Sequence, residues 1–194
     1  MKTLVDIIIP TYWRLEPLHC MLSSLVCQTE RDWTATVVID REITDKDIVP
    51  IIGLIQSFKD ERIVYIASEK RSNDWGHTPR EKGKQLSEAD YVIMSGDDNY
   101  YTPNFVYELK KATFDNPGMV YWDMVHSHYD YQYFQCQPAY NQIDMGAFAT
   151  RRDLAQQIKL NTSYAADGEY VRDFNIKFPQ EQKIKISKVL FVHN

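Results

Sequence analysis

The sequence predicts an α/β fold with a mainly parallel central sheet, followed by a smaller region of mixed strands. Three observations predict it. Four short apolar runs alternate with helix-compatible stretches as far as Met94, the pattern of strand–helix–strand units with right-handed crossovers. Each run ends in polar or turn-forming residues, and beyond Gly118 the chain becomes irregular and rich in Tyr, His and Gln.

Residues 4–9 form the first expected strand, closed by Pro10, Thr11 and Tyr12. Pro17 opens a helix whose apolar stripe runs through Leu18, Met21, Leu22, Leu25 and Val26, a helical spacing. Residues 36–39 are the second strand, ending at Asp40; the break at Pro50 precedes a helix over 51–58. Residues 62–67 give the third strand. A polar loop over 68–78, holding Trp75 and Gly76, leads to a helix that Pro79 starts and that runs through Ala89. Residues 91–94 are short, apolar and partly β-branched, which suits a buried fourth strand, and Ser95 and Gly96 end it. Thr102 suits an N-cap and Pro103 a first helical position, placing a helix over 104–114.

In the second half, residues 118–122 read as a strand. Residues 123–142 lack a helical period, with a hairpin expected around 131–137. Residues 143–150 make a strand feeding a helix over 151–158, and Asp167 opens a last helix that reaches Lys177. The apolar run 186–192 is the terminal strand, with His193 beyond it.

The composition narrows the function classes. A chain of 194 residues with 44% hydrophobic content can bury one substantial core, so 1–194 reads as a single domain. A net charge of -5 without a Lys/Arg run argues against nonspecific binding of nucleic acid or anionic membrane. The three cysteines lack metal-site spacing, and Cys20 and Cys27 read as two buried thiols of a reduced protein. Lys2 followed by an apolar run interrupted by Asp6 is too short and too charged for a signal peptide or a transmembrane segment. A cytoplasmic location follows.

The chemistry concentrates at Asp97 and Asp98, at the C-terminal edge of the fourth strand, where ligands of open α/β sheets collect. Adjacent carboxylates repel unless a cation or a hydrogen-bond network stabilises them, and a divalent metal with phosphate oxygens would do so. A capped Asp/Asn turn before a helix is the plainer use of the same residues.

The strings V-D-I-I-I-P-T-Y-W-R, V-V-I-D, H-T-P-R-E-K-G, G-D-D-N and A-D-G-E-Y occur in this order along the chain. In order and spacing they resemble those of GT-A-fold, Rossmann-like glycosyltransferases, closest in pattern to the family-2 nucleotide-sugar transferases. The resemblance implies a nucleotide-sugar-binding half over about 1–115 and an acceptor-side half over about 116–194. It places Pro10, Thr11, Tyr12 and Arg14 in the nucleotide cradle, with Asp40 contacting the base. It sets Arg80 near the diphosphate, as a planar guanidinium that suits phosphate oxygens; a surface ion pair with Glu81 is the competing use. Counted back from Pro103, Asn99 and Asp98 take the last two positions of the family's acidic motif, and Gly96 stands where its first Asp belongs. Asp98 is then the metal ligand, for Mn²⁺ or Mg²⁺, and the ribose contact falls to Asp97, Ser95 or another group.

Asp167 resembles the catalytic base of inverting members, with Glu169 in reserve; an N-cap is its structural alternative. His193 resembles the C-terminal metal-ligand His of many GT-A enzymes. Asp144 and the aromatics Tyr129, Tyr131, Tyr133, Phe134 and Tyr140 lie where the family builds its acceptor site, although core packing is the plainer use of most of these rings. The implied activity is metal-dependent transfer of a sugar from a nucleoside-diphosphate donor, a UDP-sugar favoured, to a hydroxyl of a glycan or other acceptor, with inversion. A retaining GT-A transferase and a noncatalytic nucleotide- or glycan-binding relative are the alternatives. Nucleotidyl transfer fits less well, because P-T-Y-W-R lacks a Gly-rich basic phosphate loop.

Overall fold

The computed structural model describes residues 3–194, so Lys2 lies outside the described residues. In chain order the elements are β1 (Val5–Thr11), α1 (Leu15–Val26), β2 (Trp33–Ile39), α2 (Ile48–Ser57), β3 (Ile63–Ala67), α3 (His77–Leu86), β4 (Tyr91–Met94), β5 (Tyr100–Tyr101), α4 (Phe105–Ala112), β6 (Met119–His126), β7 (Gln132–Phe134), β8 (Phe148–Arg151), α5 (Arg152–Ala155), α6 (Ala166–Lys177) and β9 (Lys183–His193). Single 3₁₀ turns occupy Ser127–Tyr129 and Met145–Ala147.

The strands form one sheet in the order β3-β2-β1-β4-β8-β6-β9-β5, with β7 added to β6. The first four of these are parallel: Ile7 of β1 lies opposite Ala35 of β2 and Ile93 of β4. Every residue of β1 and β4 is buried, as expected for parallel strands covered on both faces. On one face α1 packs through Leu18, Met21, Leu22 and Leu25, the spacing read from the sequence; Val26 is the exception, left exposed. Thr11 and Ile39 end side by side and Met94 ends level with Ile8, so the loops carrying Tyr12, Asp40 and Asp97 leave the same edge of the sheet.

Several boundaries differ from the sequence reading. Helix α2 begins at Ile48 and takes Pro50 into its first turn, where a missing N–H costs nothing. Helix α3 likewise starts before Pro79, at His77, and ends at Leu86 rather than Ala89. Thr102 and Pro103 precede a turn, and α4 starts only at Phe105. Strand β6 continues four residues past Trp122 because Asp123, buried at a bulge, is satisfied by Cys136 N (3.0 Å), Tyr133 Oη (2.8 Å) and Lys185 Nζ (2.9 Å). The hairpin is that of β6 and β7, shorter than 131–137. A 3₁₀ turn takes the first part of the strand expected over 143–150, and α5 stops at Ala155. His193 is the last residue of β9, not beyond it. Cys20 and Cys27 are free and exposed, contrary to the expectation of buried thiols; Cys136 is free and buried.

Candidate active site

A cavity of about 1030 Å³ opens at the C-terminal ends of β1, β2 and β4. It takes in Pro10, Thr11, Tyr12, Arg14, Asp40, Arg80, Asp97, Asp98, Asp144, Asp167 and His193, so the structure brings these sequence-selected residues together.

The acidic pair is held by a cation and a hydroxyl. Thr11 Oγ1 donates to Asp97 Oδ2 at 2.7 Å, and the Arg14 guanidinium spans the two carboxylates, bonding Asp97 Oδ1 through Nη2 and Asp98 Oδ2 through Nη1 at 2.6 Å. Asp97 is 2% exposed; burial pushes its carboxyl above the usual range, while Arg14 and Thr11 pull the other way. Gly96 has a local reason. A Cβ there would lie 2.8 Å from Asp98 Oδ1 and 3.0 Å from Asn99 Nδ2, so the glycine leaves room for both side chains to fold back over the turn.

Beyond the end of β1, Tyr12 is covered by two guanidinium groups, Arg41 and Arg71, each 4.0 Å from the ring centroid. Asp40 accepts from the backbone N–H groups of Ser72 (2.9 Å) and Asn73 (3.4 Å), so it anchors the loop before α3 rather than capping the turn after itself. Arg80, one turn into α3, donates through Nε to Ser95 O (2.8 Å) and through Nη1 to Trp75 O (2.9 Å). Glu81 pairs instead with the fully buried Lys84 (2.7 Å), which also reaches Ile158 O, so the surface ion pair considered for Arg80 does not form. His77, expected in the loop, is the first residue of α3; burial, reinforced by Arg80, lowers its pKa to about 4.

Across the cavity Asp167 is the second residue of α6, with Ala165 in the cap position, so it is not the N-cap. Its Oδ1 accepts the Gly168 N–H at 2.7 Å. Burial pushes its pKa up to about 6, with that hydrogen bond opposing and Asp144 adding to the rise. Glu169 faces elsewhere: its Oε2 accepts from Asn161 (2.9 Å) and Ser163 (2.8 Å), and it does not line the cavity. Asp144 lies 3.7 Å from His193 Nε2 and caps the Met145–Ala147 turn through Gly146 N. Of the acceptor-side aromatics, Tyr129 and Phe134 line the cavity. Tyr129, Tyr131, Tyr133 and Tyr140 are exposed, so core packing does not account for them.

Sequence reasoning missed His126 and His128, which line the cavity beside His193; the His126 and His193 rings stack with centroids 4.1 Å apart. Their H-S-H spacing at the end of an alternating run was the available signal. It also missed Trp75 and Tyr164, whose place in the site depends on two loops meeting.

For a divalent cation, no group of three His, Cys, Asp or Glu among the described residues is closed up enough to hold one unaided. The donor set nevertheless fits. A positive group, the Arg14 guanidinium, already sits across the paired carboxylates, and hard cations take one or two carboxylates with phosphate and water supplying the rest. Asp98, whose side chain is 25% exposed, is the accessible member of the pair.

The model of the glycosyl transferase family 2 matches residues 6–166. The chain belongs to that family. Its curled α/β sheet is the GT-A fold. Among solved structures, S. aureus TarS 1–349 matches with a TM-score of 0.78 at 15% identity, covering 100% of this chain and 60% of that one. The same protein in complex with UDP-GlcNAc gives 0.77 at 14% identity, over 99% and 58%. The mannosyltransferase PcManGT from Pyrobaculum calidifontis, in complex with GDP-Man and Mn2+, gives 0.76 at 14% identity, over 100% and 57%. The chain thus spans about 60% of the length of the first of these structures. No curated protein sequence matches it. No helix among the described residues is long and apolar enough to cross a membrane.

Proposed function

We propose that this family-2 chain is a metal-dependent, inverting glycosyltransferase that moves one sugar from a nucleoside-diphosphate donor to an acceptor hydroxyl. The observation that carries this reading is one cavity with a carboxylate pair bridged by Arg14 on one wall and a half-buried carboxylate that is not the helix N-cap, Asp167, on the other. UDP is the favoured nucleotide, and the acceptor is a glycan or another hydroxyl compound; TarS has been seen with UDP-GlcNAc and PcManGT with GDP-Man and Mn2+.

Pro10, Thr11 and Tyr12 would cradle the base, with Asp40 accepting a base N–H. Arg80 would neutralise diphosphate oxygens, and its half-buried guanidinium is only partly screened by solvent. Asp98, with His193, would hold Mn²⁺ or Mg²⁺, which when bound supplies charge neutralisation to the leaving diphosphate. Asp167 takes the acceptor hydroxyl's proton as that oxygen bonds the anomeric carbon and the bond to the diphosphate breaks. A carboxyl titrating near pH 6 is ionised at neutral pH yet more basic than a free Asp, which suits a general base. Three free cysteines, two of them exposed, suit a reducing, cytoplasmic setting.

The decisive experiment is a thermal-shift panel of UDP, GDP, CDP and dTDP with Mn²⁺ or EDTA. Nucleotide at about 100 times Kd should stabilise the fold by about 2.7 kcal/mol. Absence of any metal-dependent shift refutes the reading. Release of free nucleoside diphosphate with and without acceptor separates a transferase from a noncatalytic binder.

A further inference from the structure

Two large aromatic rings stand at the rim of the cavity with little packing to explain them. Trp75 is 68% exposed and Tyr164 is 78% exposed, and both line the cavity. They come from distant loops, the one before α3 and the one before α6, and meet edge to face with centroids 6.3 Å apart at 79°. Hydrophobic burial does not hold them there, because both remain in solvent.

The backbone holds them instead. Trp75 sits at φ 55°, in the left-handed region, a costly conformation for a bulky residue that surrounding contacts must enforce. The contacts are present: Asp40 receives the N–H groups of Ser72 and Asn73, and Arg80 donates to Trp75 O. The Asp74 carboxylate takes both the N–H and the hydroxyl of Thr78. Gly76, at φ 83°, lies so close to Pro10 that a Cβ would approach it to 2.8 Å. On the other loop, Asn161 and Ser163 are tied to Glu169, and Ala166 N donates to Ser163 O. A strained, multiply anchored loop presenting an exposed indole is a built surface.

We propose, on the glycosyltransferase reading above, that Trp75 and Tyr164 form an acceptor subsite that binds the apolar C–H face of an uncharged sugar ring. Two rings at right angles make a corner that can cover one face and one edge of a pyranose. The corner and the proposed base line the same cavity, and Asp167 follows Tyr164 by three residues on the chain. The two rings present aromatic faces and no charge of their own, which favours an uncharged sugar ring over an anionic one. Tyr12, the aromatic of the proposed base cradle, carries Arg41 and Arg71 over its ring.

The test uses tryptophan emission. Trp33 and Trp122 are buried, so in Trp13→Phe the only exposed indole among the described residues is Trp75. This variant is titrated with maltotriose, cellotriose, chitotriose and mannotriose, and with trigalacturonate as the charged arm, with and without UDP and Mn²⁺. At least one neutral trisaccharide should change the emission saturably, trigalacturonate should not, and Tyr164→Ala should weaken that binding about tenfold. Trp75→Ala, followed by calorimetry, should lose the saccharide to a similar extent, recover part of it as Trp75→Phe, and keep wild-type UDP affinity. The proposal is overturned if no neutral saccharide binds, if only trigalacturonate does, or if Trp75→Ala weakens UDP while sparing the saccharide, which would make the indole a base platform. Nucleotide binding without saccharide binding removes the subsite alone. Saccharide binding without any nucleotide response removes the transferase reading and leaves a glycan site.

Discussion

Replacing Arg14 with Ala tests the cation site directly, because Arg14 is the positive charge on the acidic pair. In the variant, Asp97 keeps Thr11 Oγ1 but loses its ion pair while remaining 2% exposed, and Asp98 loses its partner at 2.6 Å. Breaking a fully buried pair costs about 3–5 kcal/mol, and an exposed one about 0–1 kcal/mol. Arg14 is 47% exposed, so solvent screens part of the interaction, and about 1–3 kcal/mol is expected. For a chain of this size that is a Tm loss of about 3–10 °C. The sign with pH follows from Asp97. Burial already raises its folded pKa above the unfolded value, so its ionisation costs stability as pH rises, and Arg14 opposes that cost. The deficit of Arg14→Ala should therefore be larger at pH 8 than at pH 5, where protonation of Asp97 relieves it. Mn²⁺ should restore more of the Tm in Arg14→Ala than it adds to the wild type, in which the ion must displace the guanidinium. Scanning calorimetry at the two pH values, with Mn²⁺ or EDTA, measures all of this. An equal deficit at both pH values, or no Mn²⁺ rescue, would refute the reasoning.

Asp167→Asn should keep UDP binding and lose transfer by at least about 10²-fold, and the wild-type kcat/KM should fall below about pH 6; normal turnover in the variant moves the base elsewhere. Because the folded carboxyl titrates near 6, above its unfolded value, ionised Asp167 costs stability at pH 7. The same variant should then melt higher than wild type at pH 7 and lose that advantage below the unfolded pKa, as calorimetry would show. Asp98→Ala should abolish the metal-dependent part of the UDP thermal shift and leave the metal-independent part; an unchanged Mn²⁺ effect would reassign the ligand. Lys84→Met should lower stability by about 1–3 kcal/mol, since Glu81 loses its buried partner, with UDP affinity unchanged; a tenfold affinity loss by calorimetry would give the Glu81–Lys84 pair a role in the site.

The parallel half was legible because β1, β2 and β4 are buried on both faces and therefore read as continuous apolar runs, and because the stripe of α1 repeats at helical spacing. Where boundaries slipped, a tertiary partner overrode a local signal. Pro50 and Pro79 mark first turns but not first residues, and Asp123 would end an isolated strand but inside this one is paired with Lys185 and hydrogen-bonded by Tyr133. Of the candidate residues at strand ends, Asp97 and Asp98 were legible for a topological reason, since a parallel sheet gathers its C-terminal ends whatever the loops contain, whereas Tyr12 and Asp40 were selected through the resemblance. Trp75 and Tyr164 were not, because their meaning arises from two loops far apart in sequence being pinned to one rim.

Gly96 joins these two levels. In the sequence it is a gap in an acidic motif and weakens the resemblance. In the fold it is the space into which Asp98 and Asn99 turn, with Asn99 in turn accepting the backbone N–H of Asn194 at 3.1 Å. A carboxylate at 96 would add a third negative charge beside Asp97 and Asp98 and press on both neighbours. The single guanidinium of Arg14 spans two carboxylates, one on each of its terminal nitrogens, and a third would have no such partner. The departure at Gly96 is therefore matched to the cation that this site holds, and the acidic pair, rather than a triad, is the unit on which its electrostatics rests.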